Sequence, residues 1–300
     1  MEETSKRFYE ENGYVLIRQA ATDKELGPVR EQIGKVVDRK INAFYRQGLI
    51  TNKHEELPLS TRWSEISKQH PSKEQMWVRQ VFSKAIYDLG VHDPVLDAVE
   101  TLIGSEIRFN GDYHVRPKIP HHDLTTVPWH QDAYYYGGKE AGNPDYPILS
   151  VWIPLIDVDE HNGCLQFVPG SHKWGLTPEL NQALPRIGDK PGVSGEQKHE
   201  LDRRAISLRM SKGDMVIFDK FTFHRSLPNL SDEIRWSVDL RYSPADQSFA
   251  WSGMGDEIDV KYPSCIVRSQ TQPDRVSNWE QYENKFASTC DRYDEDGVAK

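Results

Sequence analysis

Cysteine is scarce: three in 300 residues, Cys164, Cys265 and Cys290, far apart along the chain. That excludes a disulfide framework or a zinc-ribbon spacing and fits a reducing compartment. Long apolar runs are also missing, and nothing approaches the ~18 residues of a membrane span. The opening Met1–Tyr14 (MEETSKRFYEENGY) lacks the apolar core that a signal peptide requires. Lysine and arginine do not cluster in sequence, and 37 basic against 46 acidic residues leave a net charge of −9. A nucleic-acid or anionic-membrane partner does not suit such a chain. Glycine (20) and proline (18) are at ordinary levels, so collagen-like and low-complexity readings fall away. No internal repeat is visible. The expectation is a folded, soluble, cytoplasmic protein.

What is present changes character along the chain. The first third reads helical. Thr22 and Glu25 form a possible capping box, and Val29, Ile33, Val36, Val37 and Ile41 follow at close to the 3.6-residue period, predicting a helix from Asp23 to about Tyr45. Further helices are predicted over Lys73–Leu89 and Pro94–Ile103, the latter stopped by Gly104. Asn52–His70 is a polar connector without an assignment. From Glu106 the texture becomes short β-rich segments: Ile107–Val115, Ile148–Val158, Cys164–Val168, Asp214–Phe218 and Ile234–Tyr242. Helices followed by strands predict an α+β, mainly β fold, with helices packed on a sandwich or barrel.

Two strands are split by face. In Ile234–Tyr242, Trp236, Val238, Leu240 and Tyr242 point one way, and Arg235, Ser237, Asp239 and Arg241 the other. In Ile107–Arg116, Arg108, Asn110, Asp112, His114 and Arg116 oppose an apolar set. Such a polar face either meets solvent or lines a barrel mouth, where it would serve a ligand. Both readings stand at this point.

The sharpest motif is Trp129-His130-Gln131-Asp132. On an extended segment, His130 and Asp132 point the same way while Gln131 turns aside. One imidazole and one carboxylate are two parts of a 2-His-1-carboxylate facial triad, which suits Fe(II) because it leaves coordination positions open. A second His-x-Asp, His121-His122-Asp123, follows Pro120 without strand character and reads as loop. A distant third ligand is needed. His161 and His172 sit beside turn signals. His224, which lies between the segment Gly213–Asp219 and the strand carrying Arg235, is the favoured candidate over His199.

WHQD at 129–132, VWIPL at 151–155, NGCLQFVPGSH at 162–172, GDMVIFD at 213–219 and H-x-S at 224–226 follow one order, with Arg235 beyond the second histidine. Together they resemble the phytanoyl-CoA dioxygenase-like branch of the Fe(II)/2-oxoglutarate-dependent oxygenases. Asn12–Ile17 is similar to that family's opening strand. The resemblance implies a double-stranded β-helix (jelly-roll, cupin-like) core with supporting N-terminal helices. It implies one domain over 1–300: helical support to about 105, core about 106–244, and an extension from 245. His130, Asp132 and His224 match the iron ligands. Arg235, Ser226, Trp152, Gln131 and Asn110 match cosubstrate contacts, Arg235 as a planar fork for the distal carboxylate of 2-oxoglutarate. Fe(II), 2-oxoglutarate and O2 are the implied cofactors, and a ligand carboxylate at Asp132 favours oxidation over halogenation.

The implied partner is a small-molecule substrate, with a homodimer left open. Tyr134, Tyr136 and Asp112 are the candidate substrate contacts. The segment Ala133–Pro147, with Gly137-Gly138, is expected beside the metal as a lid that selects substrate or closes the barrel. No basic cluster suited to the phosphates of a CoA thioester stands out in sequence. A non-oxygenase metal enzyme and a non-catalytic binding protein on the same scaffold are the alternatives from other classes.

Overall fold

The computed structural model describes residues 2–71, 74–111, 113–136, 143–177, 186–187, 190–191, 195–247 and 263–290. The strands are β1 (Tyr14–Ile17), β2 (Ile107–Phe109), β3 (His114–Lys118), β4 (Leu149–Pro154), β5 (Leu165–Phe167), β6 (Arg186–Ile187), β7 (Lys190–Pro191), β8 (Ile206–Leu208), β9 (Met215–Asp219), β10 (His224–Ser226), β11 (Arg235–Pro244) and β12 (Cys265–Arg268). The major sheet runs β1-β9-β4-β11-β2-β12, with β3 also paired to β11, and every pairing is antiparallel. A minor sheet, β10-β5-β8, provides the opposing layer. This is the jelly-roll architecture expected.

The helices are α1 (Glu3–Asn12), α2 (Asp23–Arg46), α3 (Leu59–Gln69), α4 (Lys84–Gly90), α5 (Asp93–Ile103), α6 (Gly195–Arg204) and α7 (Trp279–Ala287). None is long and apolar enough to cross a membrane among the described residues. The α2 capping box is formed: Thr22 N–H donates to Glu25 Oε2 (2.9 Å), and the Thr22 side chain caps the first turn in return. Its buried stripe of Leu26, Val29, Ile33, Val36, Val37 and Ile41 packs on the major sheet.

Period-two alternation then divides that sheet cleanly. Leu149, Val151 and Ile153 of β4, Met215 and Ile217 of β9, and Trp236, Val238, Leu240 and Tyr242 of β11 join the helices in one core. Trp152, Val216 and Phe218 face the minor sheet and pack with Leu165 and Phe167. The polar face of β11 is therefore not in solvent: Arg235, Ser237, Asp239 and Arg241 are all buried inside the barrel. The barrel-mouth reading holds for this strand.

Several expectations are corrected. The strand predicted over Ile107–Val115 is broken. Its halves β2 and β3 pair different stretches of β11, with two extra residues bulging between the Phe109↔Tyr242 and His114↔Asp239 pairs. An even number of extra residues preserves the face of every side chain. The helix predicted over Lys73–Leu89 shrinks to α4, because Trp77 is drawn into a β-bridge with Val115. The unassigned Asn52–His70 contains α3, anchored by buried Trp63 and Ile66. The extension after 245 is not merely appended: β12 completes the sheet edge beside β2, and Tyr282 of α7 enters the core. The strand β1 likewise belongs to the barrel, so the core is not confined to 106–244.

Glycine has opposite value at two places. Gly213 has φ +84, and a Cβ there would collide with the Ala21 carbonyl, while Gly34 sits in α2 with open space around it. Gly34→Ala should raise stability by about 0.5–1 kcal/mol. Gly213→Ala should lower it by about 1–2 kcal/mol or more. Paired thermal melts check both signs.

Candidate active site

His130 and His224 come from distant parts of the chain, yet the backbone makes them direct partners. His130 N–H donates to His224 O and His224 N–H to His130 O, both at 3.1 Å. Residues facing across such a bridge hold their side chains in contact on one face, and the imidazole centroids lie 4.1 Å apart. Each ring is oriented by its other nitrogen. His130 Nδ1 lies 2.9 Å from Pro128 O, and His224 Nδ1 lies 3.0 Å from Thr222 O. Donation to those carbonyls leaves both Nε2 lone pairs facing the cavity.

Asp132 completes the face. Its Oδ1 is 3.4 Å from His130 Nε2 and 3.7 Å from His224 Nε2. Its other oxygen, Oδ2, accepts from Ser150 Oγ (2.5 Å) and meets Arg241 Nη2 at 3.3 Å. Although burial opposes ionisation, Arg241 and the two histidines hold this carboxyl well below the usual carboxylate range. Burial, reinforced by neighbouring His130, keeps His224 neutral down to about 3. Two lone pairs and a carboxylate oxygen thus converge within 4.8 Å of one another. Acceptors facing one another with no proton between them repel unless a cation sits among them, and an N2O donor set with an open side fits Fe(II).

The triad opens into a cavity lined in part by Trp152, Leu165, Phe218, Ser226, Arg235 and Asp239. Arg235 is buried. It donates to Ser237 Oγ (2.7 Å) and Gly163 O (3.3 Å), and its Nε has no hydrogen-bond partner among the described residues. Its guanidinium lies over the Trp152 ring, 5.2 Å from the centroid. It makes no ion pair among the described residues, and burial pulls its pKa down to about 10. Ser226 Oγ accepts from Lys118 Nζ (2.8 Å) and Val127 N (3.0 Å). With both lone pairs occupied, its own proton is left to donate, and no acceptor receives it among the described residues. An unused guanidinium N–H and an unused hydroxyl proton in one buried cavity fit a bound carboxylate.

Other expected contacts fall elsewhere. Gln131 does not face the cavity: its amide donates to Gly175 O (2.8 Å) and Phe221 O (2.6 Å), and its oxygen accepts from Thr177. Alternation turns it away from its two neighbours. Asn110 is buried against Ser243 at 3.5 Å, at the bulge, and does not line the cavity. Asp112 and Gly137-Gly138 lie outside the described residues. Tyr134 and Tyr136 do not line the cavity; Tyr136 Oη instead accepts from Arg241 Nε at 3.1 Å. The intervening Tyr135 packs edge-on against His130, centroids 5.6 Å apart.

Sequence reading also missed residues. Ser150 and Trp152 share a face of β4, so alternation back from Trp152 finds the Asp132 contact. Lys118 lies two residues past Arg116 on β3, beyond the predicted strand end. Arg116, Lys118, Arg225, Arg235 and Arg241 converge on the cavity although they are scattered in sequence. Arg116 pairs with Asp239 (2.5 Å) and Arg225 with Asp202 (2.8 Å).

The jelly roll and its His-Asp-His face define a non-haem iron, 2-oxoglutarate-dependent dioxygenase. The profile of the phytanoyl-CoA dioxygenase (PhyH) family matches residues 9–237, and the chain belongs to that family. It is 25% identical over 259 residues to the peroxisomal phytanoyl-CoA dioxygenase of Homo sapiens, covering 85% of this chain and 70% of that one. It is also 25% identical over 259 residues to 1-deoxypentalenic acid 11-beta-hydroxylase of Streptomyces arenae, covering 81% of each. Among solved structures, the non-haem α-ketoglutarate-dependent epimerase SnoN from nogalamycin biosynthesis superimposes with a TM-score of 0.55. That match has 23% identity and covers 86% of this chain and 88% of that chain.

His130→Ala or His224→Ala should abolish Fe(II) retention in protein purified anaerobically, read by metal analysis. Gln131→Ala should do something different. Stripping the donor from the buried Phe221 carbonyl costs about 1–3 kcal/mol, so its melting point should fall while the folded fraction keeps its affinity for 2-oxoglutarate.

Proposed function

We propose that this protein hydroxylates an unactivated C–H bond of a small-molecule metabolite, with succinate and CO2 as co-products. The single observation that carries the reading is the pairing of a three-acceptor face with an unsatisfied carboxylate anchor in one cavity. A metal alone would account for His130, Asp132 and His224. It would leave the unpaired Nε of Arg235 and the spare Ser226 proton without a purpose.

His130, Asp132 and His224 would hold the iron, while Arg235, Ser226 and the Trp152 ring would hold 2-oxoglutarate. The loaded centre supplies the oxidation of the C–H bond as the cosubstrate loses CO2. The chain's own contribution is geometric and electrostatic. Ser150 and Arg241 fix the orientation of Asp132 and keep it ionised. Pro128 O and Thr222 O set the imidazole tautomers. Leu165, Phe218 and Trp152 exclude water from the anchor, which strengthens every charged contact there.

The substrate is a compact metabolite rather than a CoA thioester. Two of the additional cavity arginines are already neutralised, Arg116 by Asp239 and Arg225 by Asp202. They are therefore poorly placed to take phosphates. The likeness to SnoN supports a second reading, in which the same oxidant drives rearrangement or epimerisation, because the ligand set is common to both outcomes.

Anaerobic Fe(II) and 2-oxoglutarate should give a visible charge-transfer band. In air, a metabolite panel should then identify a compound that stimulates succinate formation and gains one oxygen by mass. Absence of 2-oxoglutarate binding would overturn the reading; a product that gains no oxygen would favour the second. Arg235→Ala should weaken 2-oxoglutarate about 10- to 150-fold, the range of a charged hydrogen bond, with Fe(II) binding kept. Arg235→Lys should recover only part, since a point charge cannot make the paired contact.

A further inference from the structure

Lys118 is among the most deeply buried charged side chains of this protein, at 1% exposure. Lysine is seldom that buried unless its charge has work to do. It sits on β3 directly opposite Arg235 of β11, so the two side chains share the inner face of the sheet. Its Nζ donates to Thr125 O (3.1 Å) and Ser226 Oγ (2.8 Å), and it lines the same cavity as the triad. The fold makes room for it. Gly163 has φ +87, and a Cβ there would strike both the Lys118 stem and the Leu227 carbonyl. The Gly163 carbonyl in turn accepts from Arg235. Around this end of the cavity, one glycine thus accommodates both cations.

We propose that Lys118 is the second cation of the cosubstrate anchor, a positioning residue that orients Ser226 and makes the site select a keto acid with a distal carboxylate. The inference rests on the functional reading above. Its logic is local. Lys118 and Val127 occupy both lone pairs of Ser226 Oγ, so the hydroxyl proton can only point outward as a donor. The ammonium adds positive charge beside Arg235, so a carboxylate there is stabilised by two cations in a desolvated site. A keto acid ending in a methyl group gains from neither cation.

The test is calorimetric titration of anaerobic Fe(II)-loaded protein with two probes, 2-oxoglutarate and 2-oxopentanoate, which share the metal-binding end and differ at the distal carboxylate. Lys118→Met should weaken 2-oxoglutarate about 10- to 100-fold and leave 2-oxopentanoate within about twofold. Equal weakening of both probes would mean that Lys118 only supports the cavity wall, and no change in either would mean that it has no part in the anchor. Both results overturn the proposal. Should Lys118→Met fail to fold, Lys118→Gln keeps a hydrogen bond to Ser226 without the charge, and the same split between the probes is expected. A wild-type protein that binds 2-oxopentanoate and 2-oxoglutarate equally would overturn the proposal but leave the metal site standing. Binding of neither probe would overturn the functional reading along with it.

Discussion

Charge inside a barrel has to be balanced, and this constraint organises the molecule. Among the described residues, the cavity is lined by the basic side chains of Arg116, Lys118, Arg225, Arg235 and Arg241 and by two carboxylates, Asp132 and Asp239. An isolated buried ion is so unfavourable that each must find a partner, shift its protonation or await a ligand. The pairs sort themselves by position on β11. Asp239 takes Arg116, and Arg241 takes Asp132, with Asp202 compensating Arg225 from outside the cavity lining. Among the described residues, Arg235 is left without an ion pair, and that imbalance makes one end of the cavity a receptor for an anion.

The pairing of Arg241 with Asp132 has a further effect. A carboxylate with one oxygen held by Ser150 and Arg241 has only the other to offer a metal, so the ligand geometry is set before any ion arrives. Arg241 also receives support from Tyr136, while Tyr135 packs on His130. The short turn Asp132–Tyr135 therefore ties the metal face to the segment that follows it. The sequence-based expectation made Tyr134 and Tyr136 substrate contacts. The structure uses Tyr135 and Tyr136 to brace the ligands, because a turn tightening at Asp132 sends successive side chains back toward the face rather than over it.

Legibility in the sequence followed periodicity. The alternation of Ile234–Tyr242, the apolar stripe of α2 and the spacing of WHQD and H-x-S are local patterns, and each survives in the structure because one buried face enforces it. Where a tertiary contact overrides the local pattern, sequence reading lost its grip. Trp77 reads as helical but is held extended by Val115. The segment Leu59–Gln69 carries too few apolar residues to announce a helix, yet Trp63 and Ile66 suffice once the sheet is present. Asn110 and Lys118 exchanged their apparent importance for one reason. The bulge between β2 and β3 ends the pocket-facing run before Asn110, while β3 itself continues past Pro117. A proline ordinarily argues against a continuing strand, and that signal concealed Lys118.

The division of labour between the two faces of the major sheet also explains why an oxidant shared across a family does not carry its substrate with it. The outer face is apolar and locked against α2, α4 and α5, and removing one large buried side chain there would cost about 2–5 kcal/mol. It holds β4, β9 and β11 in register, and through them the inward set Ser150, Trp152, Arg235 and Arg241. These positions cannot vary without disturbing either the metal face or the anchor. Part of the remaining lining can. Gln75, Arg116 and Arg225 also border the cavity, and the two arginines retain partial exposure. None of these three lies on the metal face or the anchor. Arg116 balances buried Asp239, so its charge is tied to the barrel interior, whereas Gln75 can change in volume without orphaning a buried ion.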